Sequence, residues 1–497
     1  MLYTSTRDKN VKVSSAQAIA QGISKDGGLF VPTEIPAISK EFIDSLVPLS
    51  YIERAKKILA LYLTDYTEEE LDMCVSGAYA EGKFSSEKVS PIKRTADGKN
   101  ILELWRGPTC AFKDMALQLL PDLLTTAAKK TVADKTIVIL VATSGDTGKA
   151  ALEGFKDVPG TKIMVFYPND GVSPMQKLQM TTQAGENVAV CAINGNFDDA
   201  QSGVKTIFTD KDVAAKLDEK GMMFSSANSI NWGRLVPQIV YYVSAYCDLI
   251  ESGTIKNGEE MNVVVPTGNF GNILAAYYAK RMGIPTGKLI CASNANNVLT
   301  DFLKTGVYDR NRSFFTTTSP SMDILISSNL ERLLFHLADE NDATIREWMG
   351  QLSKDGKYEI CDGVKAKIVE LFDAGYCDDA ETAETIKAYF DKGYLCDTHT
   401  AVAVKVYDEY VSATGDKRET VIASTANPYK FSAAVLKAVK GEIPADADEF
   451  EQVDLLKEAT GEECPAQLAT LKGKTPRFTD CCNKEDMVNQ VYNMLGI

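Results

Sequence analysis

The sequence has 497 residues, of which 45% are hydrophobic and 24% charged, and it carries a formal net charge of -15 at pH 7. This composition is typical of a globular protein with two or three domains, and the acidic charge argues against nucleic acid as a partner. Because no apolar run approaches the roughly twenty residues that span a bilayer, and the first residues lack a signal-peptide core, the sequence predicts a cytoplasmic protein without a membrane segment.

The numbers and spacing of the cysteines and histidines disfavour disulfide bonds and metal sites. The eleven cysteines include no C-x-x-C pair, so we expect them to be reduced and mostly buried. The only two histidines are His336 and His399, which disfavours a histidine-rich metal site. The sequence therefore predicts no metal centre.

The predicted secondary structure divides the chain into two parts, one mostly helical and one in which strands and helices alternate. Residues 1–95 are predicted to be mostly helical. From about residue 100, apolar runs rich in Val and Ile alternate with helix patterns, which indicates parallel sheets covered by helices on both faces. The predicted strands are Thr136–Ala142, Lys162–Tyr167, Val188–Ile193, Asn262–Val265, Lys288–Ala292 and Thr420–Ala423.

Lys113 is the most informative residue of the first half. It follows a turn at Gly107–Thr109 and precedes a helix pattern that begins at Met115. A lysine held at such a junction is positioned by packing, and desolvation disfavours its charged form. The neutral amine is a nucleophile that can form a Schiff base with a carbonyl or with pyridoxal phosphate. The alternative is an ordinary lysine with a packed stem and a solvated ammonium, which is the commoner case for a lone lysine.

Two strand–turn–helix junctions are candidate anion sites. After the strand that ends at Ala142, Thr143–Gly148 brings hydroxyls and free backbone N–H groups to a helix start, which suits a substrate carboxylate. After the strand that ends at Val265, Thr267–Asn272 forms a turn of small residues before another helix, which suits a phosphate. Taken alone, ordinary helix capping is the better explanation of each junction.

Together these segments resemble the threonine synthase family of pyridoxal-phosphate enzymes, over nearly the whole chain. The run Gly107–Asp114 is similar to the family's cofactor-lysine motif, which implies Lys113 as the catalytic residue and as the residue that holds the cofactor. Similar motifs are Ser5–Arg7, Asp26–Pro32, Ser319–Ile324, Asp397–Ala401 and Ser424–Phe431. The resemblance implies a substrate-carboxylate loop at Thr143, Ser144, Gly145, Asp146 and Thr147, a cofactor-phosphate loop at Gly268, Asn269, Phe270, Gly271 and Asn272, and a partner for the cofactor ring nitrogen at Thr425.

The fold that this resemblance implies is α/β, fold-type II and tryptophan synthase β-like. It has two parallel-sheet α/β domains and an N-terminal mostly helical domain. We assign residues 1–95 to the helical domain, 96–135 and 240–445 to a large cofactor-binding α/β domain, and 136–239 to a small α/β domain. Residues 446–497 are predicted to be a helical extension, ending in a helix at Met487–Leu495.

The implied activity is a lyase reaction that converts O-phospho-L-homoserine and water to L-threonine and phosphate with pyridoxal 5'-phosphate. The expected partner is this small-molecule substrate, and the expected state is a monomer or homodimer. Threonine dehydratases and cysteine synthases share the scaffold but have different lysine motifs. A non-catalytic metabolite-binding protein would have no need of Lys113.

The substrate's phosphate requires donors of its own, and two segments offer them. The first is Ser225–Arg234, where Arg234 provides a bidentate fork and Ser226 and Asn231 provide polar groups. The second includes Lys177. A capping or surface role explains each segment equally well, and the choice between Arg234 and Lys177 stays open, as do the roles of Arg106 and His399.

Overall fold

The computed structural model describes residues 1–132, 135–170 and 172–497. Its strands in these ranges are β1 (Tyr3–Ser5), β2 (Asp8–Val13), β3 (Phe30–Pro32), β4 (Ile92–Arg94), β5 (Asn100–Glu103), β6 (Thr136–Ala142), β7 (Thr161–Pro168), β8 (Val188–Ile193), β9 (Met222–Ser225), β10 (Met261–Pro266), β11 (Thr286–Ser293), β12 (Val307–Asp309), β13 (Lys357–Glu359), β14 (Phe372–Tyr376), β15 (Thr420–Ser424) and β16 (Cys481–Cys482).

The helices of the same ranges are α1 (Ser15–Gln21), α2 (Lys40–Leu46), α3 (Tyr51–Tyr62), α4 (Glu68–Ala78), α5 (Asp114–Leu117), α6 (Leu120–Thr131), α7 (Asp146–Phe155), α8 (Pro174–Thr181), α9 (Phe197–Thr209), α10 (Lys211–Glu219), α11 (Trp232–Glu251), α12 (Gly271–Met282), α13 (Val298–Thr305), α14 (Leu330–Leu337), α15 (Asp342–Asp355), α16 (Asp362–Leu371), α17 (Asp379–Asp391), α18 (Thr398–Thr414), α19 (Ser432–Lys440), α20 (Glu449–Thr460), α21 (Ala466–Ala469) and α22 (Met487–Leu495). Short 3₁₀ turns lie at Pro320–Met322, Pro428–Phe431 and Lys484–Asp486.

The larger sheet has six strands in the order β14–β11–β10–β15–β5–β4. All neighbours pair in parallel except the edge strand β4, which is antiparallel to β5. Alternate residues of β10 belong to different cores: Val263 and Val265 pack with α11 and α12, whereas Val264 packs with α18. Burial on both faces explains why this strand is continuously apolar.

The smaller sheet has five strands in the order β16–β8–β7–β6–β9, and every neighbouring pair is parallel. In β6, Ile137 and Ile139 pack on the side of α7, and Val138 and Leu140 pack on the side of α9 and α22. The predicted α/β class with two parallel sheets is confirmed.

The remaining segments attach to these two sheets. β1, β2 and β3 form a small antiparallel sheet near the N-terminus, and α3 packs against α11. Two short strands lie outside the sheet segments that the sequence indicated: β4 adds to the large sheet from within residues 1–95, and β16 adds to the small sheet from within residues 446–497. The domain boundaries themselves stay a prediction. None of the helices in the described ranges is long and apolar enough to cross a membrane.

Candidate active site

The loop that carries Lys113 is fixed to the end of strand β15. The backbone N–H of Phe112 donates to the carbonyl of Thr425 at 2.8 Å, and the N–H of Asn427 donates to the carbonyl of Cys110 at 3.1 Å. Cys110 has a positive φ of 59°, which turns the chain sharply before Lys113. Lys113 therefore has a defined position relative to Thr425, although the two residues are far apart in sequence.

Contacts of Asp114 with residues before Lys113 also stabilise this loop. Asp114 accepts hydrogen bonds from the Thr109 backbone N–H at 2.8 Å and from the Thr109 hydroxyl at 2.7 Å. Gly107 permits this packing, because a Cβ at that position would lie 2.5 Å from the Cβ of Asp114. Burial raises the pKa of Asp114 to about 6, against the opposing effect of these hydrogen bonds.

Burial, together with two of the three neighbouring charges, favours the neutral form of the Lys113 amine. Burial lowers the pKa of Lys113 to about 8, the carboxylate of Asp146 opposes that shift, and the cations of Lys430 and Arg234 reinforce it. An amine with this pKa has a substantial neutral fraction near physiological pH, as a nucleophile or a general base requires. The side chain is partly exposed and therefore accessible to a ligand.

The predicted carboxylate loop is a tightly bonded turn at the start of α7. The hydroxyl of Thr143 accepts hydrogen bonds from the N–H groups of Gly145 at 3.0 Å and Gly148 at 2.9 Å. Gly145 has a φ of 138°, and a Cβ there would lie 2.3 Å from the side chain of Gln176. Ser144 and Thr147 are half-buried in the same turn, so their hydroxyls remain the accessible side-chain donors.

Asp146 has partners that sequence reasoning did not foresee. Its carboxylate forms a buried ion pair with the Lys430 ammonium at 2.7 Å and accepts a hydrogen bond from the Gln176 amide at 3.0 Å. Burial raises the pKa of Asp146, but Lys430 and Lys113 outweigh burial and hold this pKa well below its usual range. An ionised carboxylate repels a substrate carboxylate, so Asp146 is better suited to hold cations in place than to bind that group.

The predicted phosphate loop presents free donors at the start of α12. Phe270 has a φ of 64°, which reverses the chain so that α12 begins at Gly271. A Cβ on Gly271 would meet no atom nearer than 3.5 Å, so the space beside this backbone is open. The Asn272 side-chain NH₂ is buried and has no partner among the described residues. Free N–H groups at a helix start and an unpaired amide donor fit a bound phosphate.

The segment before α14 forms hydrogen bonds with the other residues of this loop. The Ser327 hydroxyl donates to the carbonyl of Gly268 at 2.7 Å, and the Asn329 side chain donates to the carbonyl of Asn269 at 3.0 Å. Asn269 itself is exposed at the mouth of the turn. These bonds occupy the carbonyls of Gly268 and Asn269.

Thr425 follows β15, and its side chain is buried. The neighbouring Ser424 hydroxyl is already engaged, since it accepts hydrogen bonds from the Trp105 indole at 3.0 Å and the Thr400 hydroxyl at 2.9 Å. Of these two hydroxyls, Thr425 is therefore the one left to meet a ligand.

The two candidate sets for an anionic substrate group differ in the structure. Arg234 is buried, one of its amino groups donates to the Ala227 carbonyl, and its Nε has no partner among the described residues. Burial lowers the pKa of Arg234 to about 10. Lys177 instead donates to the side chain of Asn169 at 2.9 Å, and no hydrogen bond of the described residues connects it to Lys113 or Asp146.

Ser226 and Asn231 shape the turn that precedes α11. The Asn231 amide donates to the carbonyls of Ile19 at 3.0 Å and Ser226 at 2.9 Å, and its oxygen accepts from Gly233. The Ser226 hydroxyl accepts from the Asn228 N–H at 3.1 Å. Both polar atoms of the Asn231 side chain are therefore hydrogen-bonded within the protein. By capping the start of α11, Asn231 helps to position Arg234 in the first turn of that helix.

His399 and Arg106, whose roles the sequence left open, lie in different surroundings. His399 is buried, and its Nε2 accepts from the Ser321 N–H at 3.1 Å while its Nδ1 lies 2.8 Å from Asp397. Because Nε2 accepts, the neutral ring carries its proton on Nδ1. Arg106 pairs with Glu103 and is partly exposed.

Three family models match the chain. One described as "Threonine synthase N terminus" matches residues 2–79, one described as "Pyridoxal-phosphate dependent enzyme" matches residues 102–425, and one described as "Threonine synthase, C-terminal" matches residues 400–491. The second covers the Lys113 loop, the carboxylate loop, the phosphate loop and Thr425.

Individual relatives agree with these family models. "Threonine synthase-like 1" of Pongo abelii is 42% identical over 448 residues, which are 87% of this chain and 59% of the relative, so the chain spans about three fifths of that protein's length. The threonine synthase of Saccharomyces cerevisiae is 36% identical over 100% of this chain and 98% of its own. The crystal structure of a "PLP bound Threonine synthase from Brucella melitensis" has a TM-score of 0.87 and 37% identity, and the match covers 100% of this chain and 99% of that chain. The chain belongs to the threonine synthase family of fold-type II pyridoxal-phosphate-dependent enzymes.

Proposed function

We propose that this protein is a threonine synthase that converts O-phospho-L-homoserine and water to L-threonine and phosphate. The observation that carries the proposal is the position of Lys113. Its amine has a pKa near 8 and lies among Asp146, Lys430 and Arg234, and the backbone of the neighbouring Phe112 is hydrogen-bonded to Thr425. The proposal is also supported by relatives that bear this name and match the whole chain over nearly their full length.

The residues present fit pyridoxal phosphate. Lys113 would hold its aldehyde, the N–H groups of Gly268–Asn272 would bind its phosphate, and the Thr425 hydroxyl would meet its ring nitrogen. When bound, the cofactor withdraws electrons from the substrate and makes the hydrogens on Cα and Cβ acidic. A hydroxyl partner, unlike a carboxylate, leaves the ring nitrogen without a charge that would hold a proton there.

Lys113 is suited to move the protons of this reaction. With the substrate bound, the free Lys113 amine would take a proton from Cα and later one from Cβ, and the electron pair of the broken C–H bond at Cβ would let the phosphate leave from Cγ. The same amine would return protons to Cγ and Cα. Water would add its hydroxyl at Cβ, and its remaining proton would be taken up by the released phosphate. One amine serves these atoms only if its pKa lies near the working pH, as the value of about 8 provides.

The substrate's two anionic groups have separate candidate donors. The hydroxyls of Ser144 and Thr147 and the N–H groups of their turn suit the carboxylate, while the unpaired Nε of Arg234 suits the phosphate. Lys177 is the weaker candidate because its ammonium is already bonded to Asn169.

Lys113→Ala is the direct test. We expect the purified parent with pyridoxal phosphate to convert O-phospho-L-homoserine to equal amounts of phosphate and threonine. The variant should lose at least about a thousandfold in kcat, because the amine that moves the protons is gone. Lys99→Ala is a matched control, since Lys99 is also mostly buried but pairs with Asp97 and Asp408 away from the site. Phosphate release without threonine, or an active Lys113→Ala variant, would contradict the proposal.

We also propose a cytoplasmic protein that acts as a monomer or homodimer and binds no nucleic acid. The eleven free cysteines suit a reducing compartment, and the net charge of -15 disfavours a nucleic-acid partner. Sedimentation of the purified protein would give its oligomeric state.

A further inference from the structure

The ion pair between Asp146 and Lys430 joins the two sheet domains. Asp146 opens α7, which follows strand β6 of the small sheet, and Lys430 lies in the turn after strand β15 of the large sheet. The two side chains are almost fully buried and their charged atoms are 2.7 Å apart. The Lys430 ammonium also donates to the carbonyl of Thr109 at 2.9 Å, four residues before Lys113. Lys430 thus connects the Lys113 loop with the small domain directly.

The second oxygen of Asp146 extends this connection to the phosphate loop. It accepts a hydrogen bond from the Ser321 hydroxyl at 3.2 Å. The backbone of Ser321 lies against Gly268, where a Cβ would be 2.8 Å from the Ser321 carbonyl oxygen. His399, itself bonded to Asp397, accepts from the Ser321 N–H. One carboxylate therefore touches segments that lead to Lys113, to the phosphate loop and to the small domain.

We propose that Asp146 and Lys430 are positioning residues of the candidate active site, and that their ion pair is a latch which holds the small domain against the loop that carries Lys113. A buried ion pair contributes little net stability because desolvation offsets the attraction, whereas it fixes the geometry of its partners. The inference rests on the proposed function in one respect, since it takes Lys113 as the reacting amine.

The two charges of the ion pair also influence the protonation of the Lys113 amine. The charged groups that act on its amine are Asp146 at the start of α7, Lys430 after β15 and Arg234 on α11. Those that act on Asp146 are Lys430 and Lys113. Removing the anion leaves two cations beside Lys113, whereas removing Lys430 leaves the anion and one cation. The two substitutions therefore shift the protonation of Lys113 in opposite directions.

The first experiment measures the pH dependence of acetic anhydride labelling at Lys113 in the full chain after the cofactor has been removed. Mass spectrometry of the peptide that contains Lys113 separates this amine from the others. We expect the midpoint of labelling to fall by about one pH unit in Asp146→Asn and to rise by about one unit in Lys430→Gln, because one neighbouring charge shifts a buried group by that order. In the double variant the midpoint returns toward that of the parent.

Asp248→Asn is the matched control, because Asp248 forms another buried ion pair, with Arg54 at 2.6 Å. That variant should lower stability without moving the Lys113 midpoint. If the ion pair only supported the fold, both site variants would raise the midpoint of Lys113 labelling, because a loosened site hydrates the amine. That result, or no shift in either variant, would overturn the proposal. The double variant, which removes both charges of the pair together, keeps the test decisive if a single variant does not fold.

Hydrogen exchange of the cofactor-loaded protein gives a second readout. We expect faster exchange at Gly145–Ala150 and at Thr109–Lys113 in both single variants, and unchanged exchange there in Asp248→Asn. Unchanged exchange in the site variants would overturn the latch. A parent that releases no phosphate would refute the proposed function, and the labelling and exchange results would still decide the latch.

Discussion

Arg234 and Arg332 are both buried, and neither forms an ion pair within the described residues. Their hydrogen bonding differs. Arg332 donates to the carbonyls of Phe30 at 2.9 Å and Ile230 at 2.6 Å and to the side chain of Asn329, so each of its nitrogens is engaged. Arg234 keeps an unpaired Nε. Because an unpaired buried donor is costly, Arg234 is the cation prepared to receive an anionic ligand.

Arg234→Lys tests this difference at the residue scale. Loss of the bidentate fork should weaken binding of O-phospho-L-homoserine about 30-fold, or about 2 kcal/mol, and should weaken homoserine, which lacks the phosphate, much less. Calorimetric titration of both ligands measures the ratio. Arg332→Lys is the control and should reduce stability while leaving the ratio unchanged. An equal loss for both ligands in Arg234→Lys would show that Arg234 is structural.

At the scale of elements, the close approach of α7 to α5 positions Lys113. Gly154 on α7 lies against the backbone of α5, and a Cβ there would be 2.0 Å from the carbonyl oxygen of Leu117. Since α5 begins directly after Lys113, the spacing of these two helices sets the distance between the lysine and the carboxylate loop.

Gly154→Ala should therefore separate the two helices. We expect a loss of about 1–3 kcal/mol in the free energy of unfolding and a fall in kcat, because Lys113 is displaced. Urea unfolding and phosphate release measure the two effects. Gly350→Ala is the control, since Gly350 lies on α15 with open space around it and should gain up to about 1 kcal/mol in helix propensity. Similar stability changes in the two variants would rule out a close contact at Gly154.

Long apolar strands could be predicted from the sequence, and short strands could not. The predicted strand Thr136–Ala142 coincides with β6, and the predicted helix Met487–Leu495 coincides with α22, because both patterns are continuous over several residues. Strand β14 contains Asp373 and Gly375, and β16 has two residues, so neither shows a periodic pattern. Their assignment depends on tertiary pairing, which short windows of sequence do not contain.

The same limit applies to the site. The turns at Lys113 and at Gly268–Asn272 could be predicted as turns before helices, because turn residues and helix starts lie next to each other in sequence; their roles in binding a cofactor stay a prediction. The contact between Asp146 and Lys430 was not predictable, since the two residues follow strands of different sheets and a lysine in a polar turn is usually solvated. One of the hydrogen bonds of the Asn231 side chain likewise goes to the carbonyl of Ile19 in α1, which is far away in the chain.

At the scale of the whole molecule, the C-terminal segment completes the small domain. Met487, Val491 and Leu495 of α22 pack on the face of the small sheet that β6 and β7 present, in a core that also includes Cys191 and Cys482. Helix α9 packs on the same face, so without α22 part of that face would be exposed to water.

Val491→Asp should consequently disrupt the small domain. A buried, unpaired carboxylate should lower the free energy of unfolding by about 3 kcal/mol or more and expose an apolar face that promotes aggregation. Asn489→Asp adds the same charge on the exposed side of the helix and is the control. Urea unfolding and light scattering measure both variants. Equal stability of the two variants would mean that α22 does not pack as the structure shows.

The place of β16 and α22 in the chain has a consequence for synthesis on the ribosome. Strands β6 to β9 emerge early, whereas β16 and α22 emerge only after strands β10 to β15 of the large sheet. The small sheet must wait with one edge unpaired and part of one apolar face uncovered until residues 481–495 have been synthesised. During that interval the unpaired edge and the uncovered apolar surface are open to aggregation and to chaperone binding, and the sheet is complete only when β16 and α22 have joined it.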